Sequence, residues 1–226
     1  ASNVCHVIYC GVFANWYFGK DSETNTLVRS ITAALTTSFG SVCFGSLLVA
    51  TVRALEAVAR QCGNDAAEDG NYVMCVMACI LECFIRCIGD VLEYFNEWAY
   101  VQCAVRGTSF IQSARITYSM ITCANVQFII RDLLLNSLVT LGGLICAVAG
   151  AACGAGTGYA LDGAAAAMIG GSLGFFIGLM SGFAALGVIN SGIKTILMCW
   201  AEDMEPLRKS HPDIHAEFMQ KCSPTA

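Results

Sequence analysis

A short charged pattern interrupts an otherwise apolar stretch at residues 82–90. Glu82, Arg86 and Asp90 follow one another at intervals of four residues, which places them on one face of an α-helix, where Arg86 can pair with both carboxylates. Charges inside a bilayer are costly, so a buried set would face a cavity or the bundle interior and could act as a polar or proton relay. A helix lying at the membrane interface, with this face in water, fits the pattern equally well.

Cysteines and histidines are the other residues that could do chemistry. One stripe of thiols repeats every four residues beside the charged pattern: Cys75, Cys79, Cys83 and Cys87. Four thiols along one straight helix cannot surround a metal ion tetrahedrally, so packing or S-palmitoylation is the better interpretation. His211 and His215 are separated by Pro212, which interrupts a helix. Without a ligand set or a nucleophile–base pair, the sequence predicts no metal, no cofactor and no enzyme.

The amino-acid composition indicates a chain that is embedded in a lipid bilayer. Hydrophobic residues make up 56% of the 226 residues and charged residues 13%, whereas soluble domains carry about 25% charged residues. The mean hydropathy is +0.63. The net charge of −5 and the absence of a basic stripe with interleaved aromatics exclude a nucleic-acid partner from our expectations.

Long uncharged runs predict the membrane helices. Residues 30–52 carry no charge, and about 20 residues of helix cross the hydrocarbon core. Runs 1–19, 133–161 and 163–193 are also uncharged, whereas 70–81 is too short to span alone and 96–125 is too polar to face lipid on all sides. We predict an all-α, polytopic transmembrane bundle with about four to six membrane helices. Residues 1–200 form the membrane region and residues 201–226 a solvated tail.

Glycines repeat every four residues near the end of the chain and predict close helix packing. The face on the last uncharged run consists of Gly170, Gly174, Gly178 and Gly182. The preceding run presents a similar face of Gly142, Cys146, Gly150 and Gly154. Small residues let membrane helices approach closely, so we predict an antiparallel pair, although another partner helix is possible. Residues 154–158 are predicted to form the intervening turn, and Gly107 a kink in the helix over 96–125.

The distribution of Lys and Arg predicts the orientation. Arg208, Lys209 and Lys221 lie in the tail, whereas residues 154–163 contain no Lys or Arg, so the tail is predicted to be cytosolic. Alternation then places residues 20–29 outside and Arg53 and Arg60 inside. The chain also begins within an apolar run without a charged leader, which leads us to expect the C-terminal part of a longer protein.

Several of these motifs resemble the choline transporter-like family. They are Trp16-Tyr17-Phe18, the run over 39–50, the pattern around Asn96 and Ala99-Tyr100, and Trp200-Ala201-Glu202-Asp203. The likeness extends over nearly the whole chain, with departures in the tail at 204–206 and 213–215. It implies a polytopic membrane protein with a large extracellular loop after its first helix. The chain would correspond to the C-terminal half, with the N-terminal half of the same protein as its partner.

The resemblance implies a transporter for choline or a related quaternary ammonium or small organic solute, working by alternating access. Such a cation needs aromatic faces around its methyl groups. The candidate substrate-binding residues are Trp16, Tyr17, Phe39, Phe44, Trp98 and Tyr100. Interface anchoring would explain Trp16 and Tyr17 equally well. The alternative function is a scaffold or trafficking protein without a transport cycle, and a channel is a third. Either way, we expect an integral protein of the plasma membrane or another cell membrane.

Overall fold

The computed structural model describes residues 2–19, 25–123 and 126–222, and these residues contain helices and no strand. The helices are α1 Ser2–Tyr17, α2 Thr26–Leu35, α3 Phe39–Glu68, α4 Tyr72–Arg106, α5 Phe110–Cys123, α6 Val126–Glu202, α7 Glu205–Ser210 and α8 Pro212–Cys222. The chain divides into two compact units. The first comprises Ala1–Asn15 and Lys20–Ile121, and the second Trp16–Gly19 and Thr122–Ala226.

Four helical segments within the described residues are long and apolar enough to cross a membrane. They are Phe39–Glu68, Tyr72–Arg106, Leu135–Leu161 and Gly163–Glu202. The predicted all-α transmembrane architecture is therefore confirmed.

The uncharged run over 30–52 is divided between two helices rather than forming one. α2 ends at Leu35 and α3 begins at Phe39. Thr36 donates its hydroxyl to the Thr32 carbonyl at 2.6 Å, and the Ser38 amide bonds to the Ala33 carbonyl at 2.9 Å, five residues back. Consecutive hydroxyl residues offer the backbone local partners that compete with the regular helical ladder. The run of uncharged residues is continuous across positions 36–38 and therefore gives no sign of this helix break.

A second break separates α4 from α5. Gly107 follows the last residue of α4 with φ +66°, and its amide bonds to the Cys103 carbonyl at 2.9 Å. Only glycine adopts this left-handed conformation without a steric cost, and it ends many helices in this way. The kink expected at Gly107 is thus a full helix end, and α5 begins three residues later.

α3 and α4 form a long antiparallel hairpin in the first unit. Gly70 turns the chain with φ +71°, and the Asn71 side chain accepts from the Met74 amide at 3.3 Å to cap α4. Gly63 lies against Ala78 near the tip, and Gly89 lies against Arg53 nearer the base. The buried core of this unit lies beyond that base, where side chains of α1, α2, α3, α4 and α5 meet: Val7, Ala34, Val42, Ala99, Tyr100, Cys103 and Phe110.

α6 contains the corresponding hairpin of the second unit. Its backbone reverses at Gly163, where φ is +77°, so Leu135–Leu161 and Gly163–Glu202 run antiparallel. The turn predicted at 154–158 is wrong, because these residues are helical and Gly158 packs against Ala166 of the opposite arm. Glycine is frequent enough in membrane helices that its local density does not identify a turn.

The two arms of α6 touch through glycine backbone. A Cβ atom at Gly174 would overlap the carbonyl of Gly150, and one at Gly170 would overlap the carbonyl of Gly154. Further along, Gly178 faces the carbonyl of Cys146, and Gly182 lies against the Cys146 side chain. Each member of the glycine face named from the sequence therefore lies at this interface.

Candidate functional site

Both helix breaks of the first unit open onto one cavity of about 220 Å³. Its lining comes from the first turns of α3 and α5 and from the residue before α5: Gly40, Ser41, Phe44, Ser109, Phe110 and Ile111. Discontinuous membrane helices commonly surround solute sites, because the broken backbone supplies polar groups that a continuous helix keeps bonded. This cavity is the candidate functional site.

Two aromatic rings line its inner wall, and a third ring lies behind them. Phe44 and Phe110 meet edge to face, with ring centroids 5.5 Å apart, and Tyr100 lies 5.9 Å from Phe110 on the other side. Tyr100 is buried, and its hydroxyl donates to the Val42 carbonyl at 3.2 Å. The faces of such rings attract cations, most strongly where water is excluded.

The cavity carries no formal charge. None of its six lining residues is ionisable, and its polar side chains are the hydroxyls of Ser41 and Ser109. The first turns of α3 and α5, which line the cavity, contribute a partial positive charge. A small organic cation would therefore be recognised by the aromatic faces rather than by an ion pair or a helix dipole.

The structure brings two of the six candidate aromatics to this cavity, Phe44 in the lining and Tyr100 behind it. Phe39 is the first residue of α3 and is 45% exposed. Trp98 is fully buried, with its ring 6.4 Å from that of Tyr94. Phe110, which was not among the candidates, lies at the centre of the wall. The signal that could have identified it is the glycine break immediately before it.

Trp16 and Tyr17 belong to the second unit, where they contact the tail. The Tyr17 hydroxyl donates to the Asp203 carbonyl at 2.7 Å, and the Ser210 hydroxyl donates to the Tyr17 carbonyl at 3.1 Å. Trp16 stacks on the ring of His211 at 4.3 Å between centroids. Tyr17 lies outside the four candidate spans, and burial raises the pKa of its hydroxyl, which therefore stays protonated as a donor.

These contacts bring the end of α1 to the start of the tail within the second unit. The expectation that segment 20–29 faces away from the tail stays a prediction.

An ion-pair network joins α3 to α4. Glu56 of α3, whose side chain is only 10% exposed, accepts from three arginines: from Arg53 at 3.0 Å, from Arg60 at 3.3 Å and from Arg86 of α4 at 2.9 Å. A nearly buried carboxylate that receives three charge-assisted hydrogen bonds is a strong cross-link between helices.

The charged pattern named from the sequence lies within this network. Arg86 pairs with Glu82 at 2.9 Å on its own helix. Asp90 instead contacts Arg53 at 2.7 Å, and Arg53 also reaches Glu93 at 2.8 Å. The geometry supports a clamp between α3 and α4. A relay function for these side chains stays a prediction.

Metal chemistry finds no support among the described residues. Over 2–19, 25–123 and 126–222, no three His, Cys, Asp or Glu side chains come together in a way that could hold a metal ion.

Comparison with known proteins gives one family over most of the chain. The family model described as plasma-membrane choline transporter matches residues 1–205. A CTL-like protein of Dictyostelium discoideum is 28% identical over 218 residues, which is 94% of this chain and 38% of that protein. Protein PNS1 of Gibberella zeae is 28% identical over 96% of this chain and 42% of its own length. Protein pns1 of Aspergillus fumigatus is 30% identical over the same shares. The chain spans about two fifths of the length of these relatives.

Proposed function

We propose that this chain, which belongs to the plasma-membrane choline transporter family, forms part of a membrane transporter for choline or a related quaternary ammonium or small organic solute. Family membership confirms the resemblance noted in the sequence, and the four apolar helices support an integral membrane protein. The family is one of transporters and not of enzymes. The choice of choline as the solute comes from the family's description.

The observation that carries the proposal is the uncharged aromatic cavity between two broken helices. A quaternary ammonium group has no hydrogen to donate, so its methyl groups are best surrounded by aromatic faces. Phe44 and Phe110 supply two such faces. The volume of about 220 Å³ is below the ~300–1,000 Å³ of pockets for drug-sized ligands, as a small solute requires.

The breaks also supply the joints that alternating access needs. Residues 36–38 and 107–109 separate helical segments that can tilt independently, because no continuous backbone ladder joins α2 to α3 or α4 to α5. In transporters, broken helices around a central site let one set of segments move against another while the site persists. We propose that opening and closing of this cavity occurs at these two joints.

A count of crossings supports a cytosolic tail. The two arms of α6 cross twice, so residue 131 shares a face with the tail, as Tyr17 does. We propose that two crossings, α2–α3 and α4–α5, join residue 25 to residue 131, so that the α3–α4 hairpin lies on the opposite face. Four arginines lie on that hairpin: Arg106 at its base, and Arg53, Arg60 and Arg86 closer to its tip. More basic residues lie in the segments on the tail's face: Lys20, Arg29, Arg131, Arg208, Lys209 and Lys221. The excess of basic residues marks the cytosolic face.

Uptake of radiolabelled choline into proteoliposomes of the full-length protein tests the proposal. We expect saturable uptake above that of protein-free vesicles, and a rise in KM of about tenfold to thirtyfold for folded Phe110→Ala protein, since one cation–π contact in a partly desolvated site is worth ~1.4–2 kcal/mol. Phe176→Ala, at a ring that is 63% exposed on α6, is the matched control and should retain wild-type uptake. Folded wild-type protein that takes up no more choline than empty vesicles would refute choline transport.

A scaffold without a transport cycle is the second candidate. It is favoured by the glycine interface of α6 and the ion-pair clamp of α3 and α4, which serve static packing as well as motion. The same vesicles distinguish the two. A scaffold predicts that the folded wild-type protein transports neither choline nor a smaller quaternary ammonium.

A further inference from the structure

Gly45 lies behind the aromatic wall of the cavity and does not line it. A Cβ atom at this position would lie 2.5 Å from the Tyr100 hydroxyl oxygen and 2.7 Å from Cε2 of Phe110. Both distances are far below van der Waals contact, so the two rings occupy the space that any other residue at position 45 would fill. From this geometry, and resting on the proposed function, we infer that Gly45 sets the size of cation that the cavity accepts.

The backbone at Gly45 cannot move away to relieve such a clash. Asn96 of α4 donates its side-chain amide to the Gly45 carbonyl at 2.8 Å, and this contact is buried. α3 and α4 are also joined by the ion-pair clamp beginning two turns further along, at Arg53. A larger residue at position 45 must therefore displace a ring.

Phe110 is the ring that moves into the cavity. Tyr100 is 2% exposed and its hydroxyl donates to the Val42 carbonyl at 3.2 Å, so the shift that the new atom forces on its hydroxyl stays within the buried core. Phe110 has no polar anchor and lines the empty volume of the cavity. An added methyl group at position 45 therefore displaces both rings and pushes Phe110 into the space that a solute would occupy.

The consequence is a change of selectivity and not a uniform loss of binding. Choline consists of a trimethylammonium group with a hydroxyethyl arm, whereas tetramethylammonium replaces that arm with a methyl group. A cavity narrowed by Phe110 has less room for the arm. The methyl group that Gly45→Ala adds takes up about one methylene of space. This corresponds to roughly a tenfold change in discrimination between choline and tetramethylammonium. Gly45 is thus a positioning residue that acts through Phe110.

The test is competition by tetramethylammonium against radiolabelled choline uptake, using full-length Gly45→Ala protein in proteoliposomes. We expect the KM for choline to rise, and the ratio of choline KM to tetramethylammonium inhibition constant to rise about tenfold. Gly156→Ala is the matched control, because a Cβ atom there meets no atom within 4 Å. Its ratio should equal that of the wild type.

A second variant keeps the inference testable if Gly45→Ala does not fold. Phe110→Leu replaces the ring with a smaller side chain and enlarges the same space. The ratio of the choline KM to the tetramethylammonium inhibition constant should therefore fall, and larger cations such as tetraethylammonium should compete better. A wild-type ratio in folded Gly45→Ala, or in Phe110→Leu, overturns the inference while leaving choline transport intact. Absence of choline uptake by the wild-type protein refutes the proposed function itself.

Discussion

Glu56 is the residue on which the α3–α4 clamp depends. Its carboxylate is the shared acceptor of Arg53, Arg60 and Arg86, so its removal leaves three guanidinium groups close together without their common counter-charge. Breaking a shielded ion-pair network by removing one partner destabilises a protein more than deleting an exposed pair does. The effect should therefore be visible at a single position.

We predict that Glu56→Gln lowers the melting temperature of the detergent-purified protein by at least about 3 °C. The amide keeps the shape of the carboxylate but loses the charge. Its NH2 group is a hydrogen-bond donor and would face the guanidinium donors of the arginines. Glu68→Gln, at the last residue of α3, is the control and should melt within a degree of wild type. Equal melting of both variants would show that the arginines are adequately solvated without Glu56.

The sequence could predict part of this network and not the rest. Helical spacing places Glu82, Arg86 and Asp90 on one face, and the Arg86–Glu82 pair is present at 2.9 Å. The partners Glu56 and Arg53 come from another helix, at sequence separations of 30 and 37 residues. Spacing rules within one helix contain no information about such contacts, which depend on how α3 and α4 align.

At the scale of elements, the glycine interface of α6 gives the sharpest prediction. Gly174→Ala should reduce the yield of folded protein severely, because its Cβ atom would meet the carbonyl of Gly150, which is main chain and cannot rotate away. Gly156→Ala in the same hairpin should express as wild type, since the space around it is open. The measurement is the monodisperse fraction in size-exclusion chromatography. A normal profile for Gly174→Ala would mean that the arms lie further apart.

Helix breaks were the elements that sequence reasoning described least well. Gly107 is visible as a break signal because glycine is the usual residue at the end of a helix. The break at 36–38 lies inside an uncharged run and contains only Thr36, Thr37 and Ser38, residues that also occur within continuous membrane helices. Its position depends on tertiary contacts. Phe110 was missed as a site residue for the same reason, since its role follows from where two breaks meet.

For the whole molecule, the crossing count predicts which segments face the cell exterior. An epitope inserted after Asp69, at the tip of the α3–α4 hairpin, should stain intact cells that express the full-length protein at their surface. An epitope at the C-terminus should stain only after permeabilisation, because the tail, which carries Arg208, Lys209 and Lys221, is proposed to be cytosolic. Detection of both epitopes under the same condition would contradict the count, since the count places hairpin and tail on opposite faces.

The class of fold was readable from the sequence at this scale because hydropathy and length alone determine it. The contacts that Tyr17 makes with Asp203 and Ser210 were not. Those residues are separated by more than 180 positions. Counting charges in each loop could not reveal these contacts.

The two broken helices also determine where water can enter. The first amides of α3 and α5 have no carbonyl one turn earlier in their own helix to bond, and these turns line the cavity. In hydrocarbon such amides would be prohibitively unstable, so the empty cavity must be hydrated. Deuterium from the solvent should therefore reach the amides of residues 39–41 and 110–112 within seconds, while those of neighbouring turns exchange slowly. The protein would thus carry a hydrated pocket at its two helix breaks, and any solute that binds there must first displace that water.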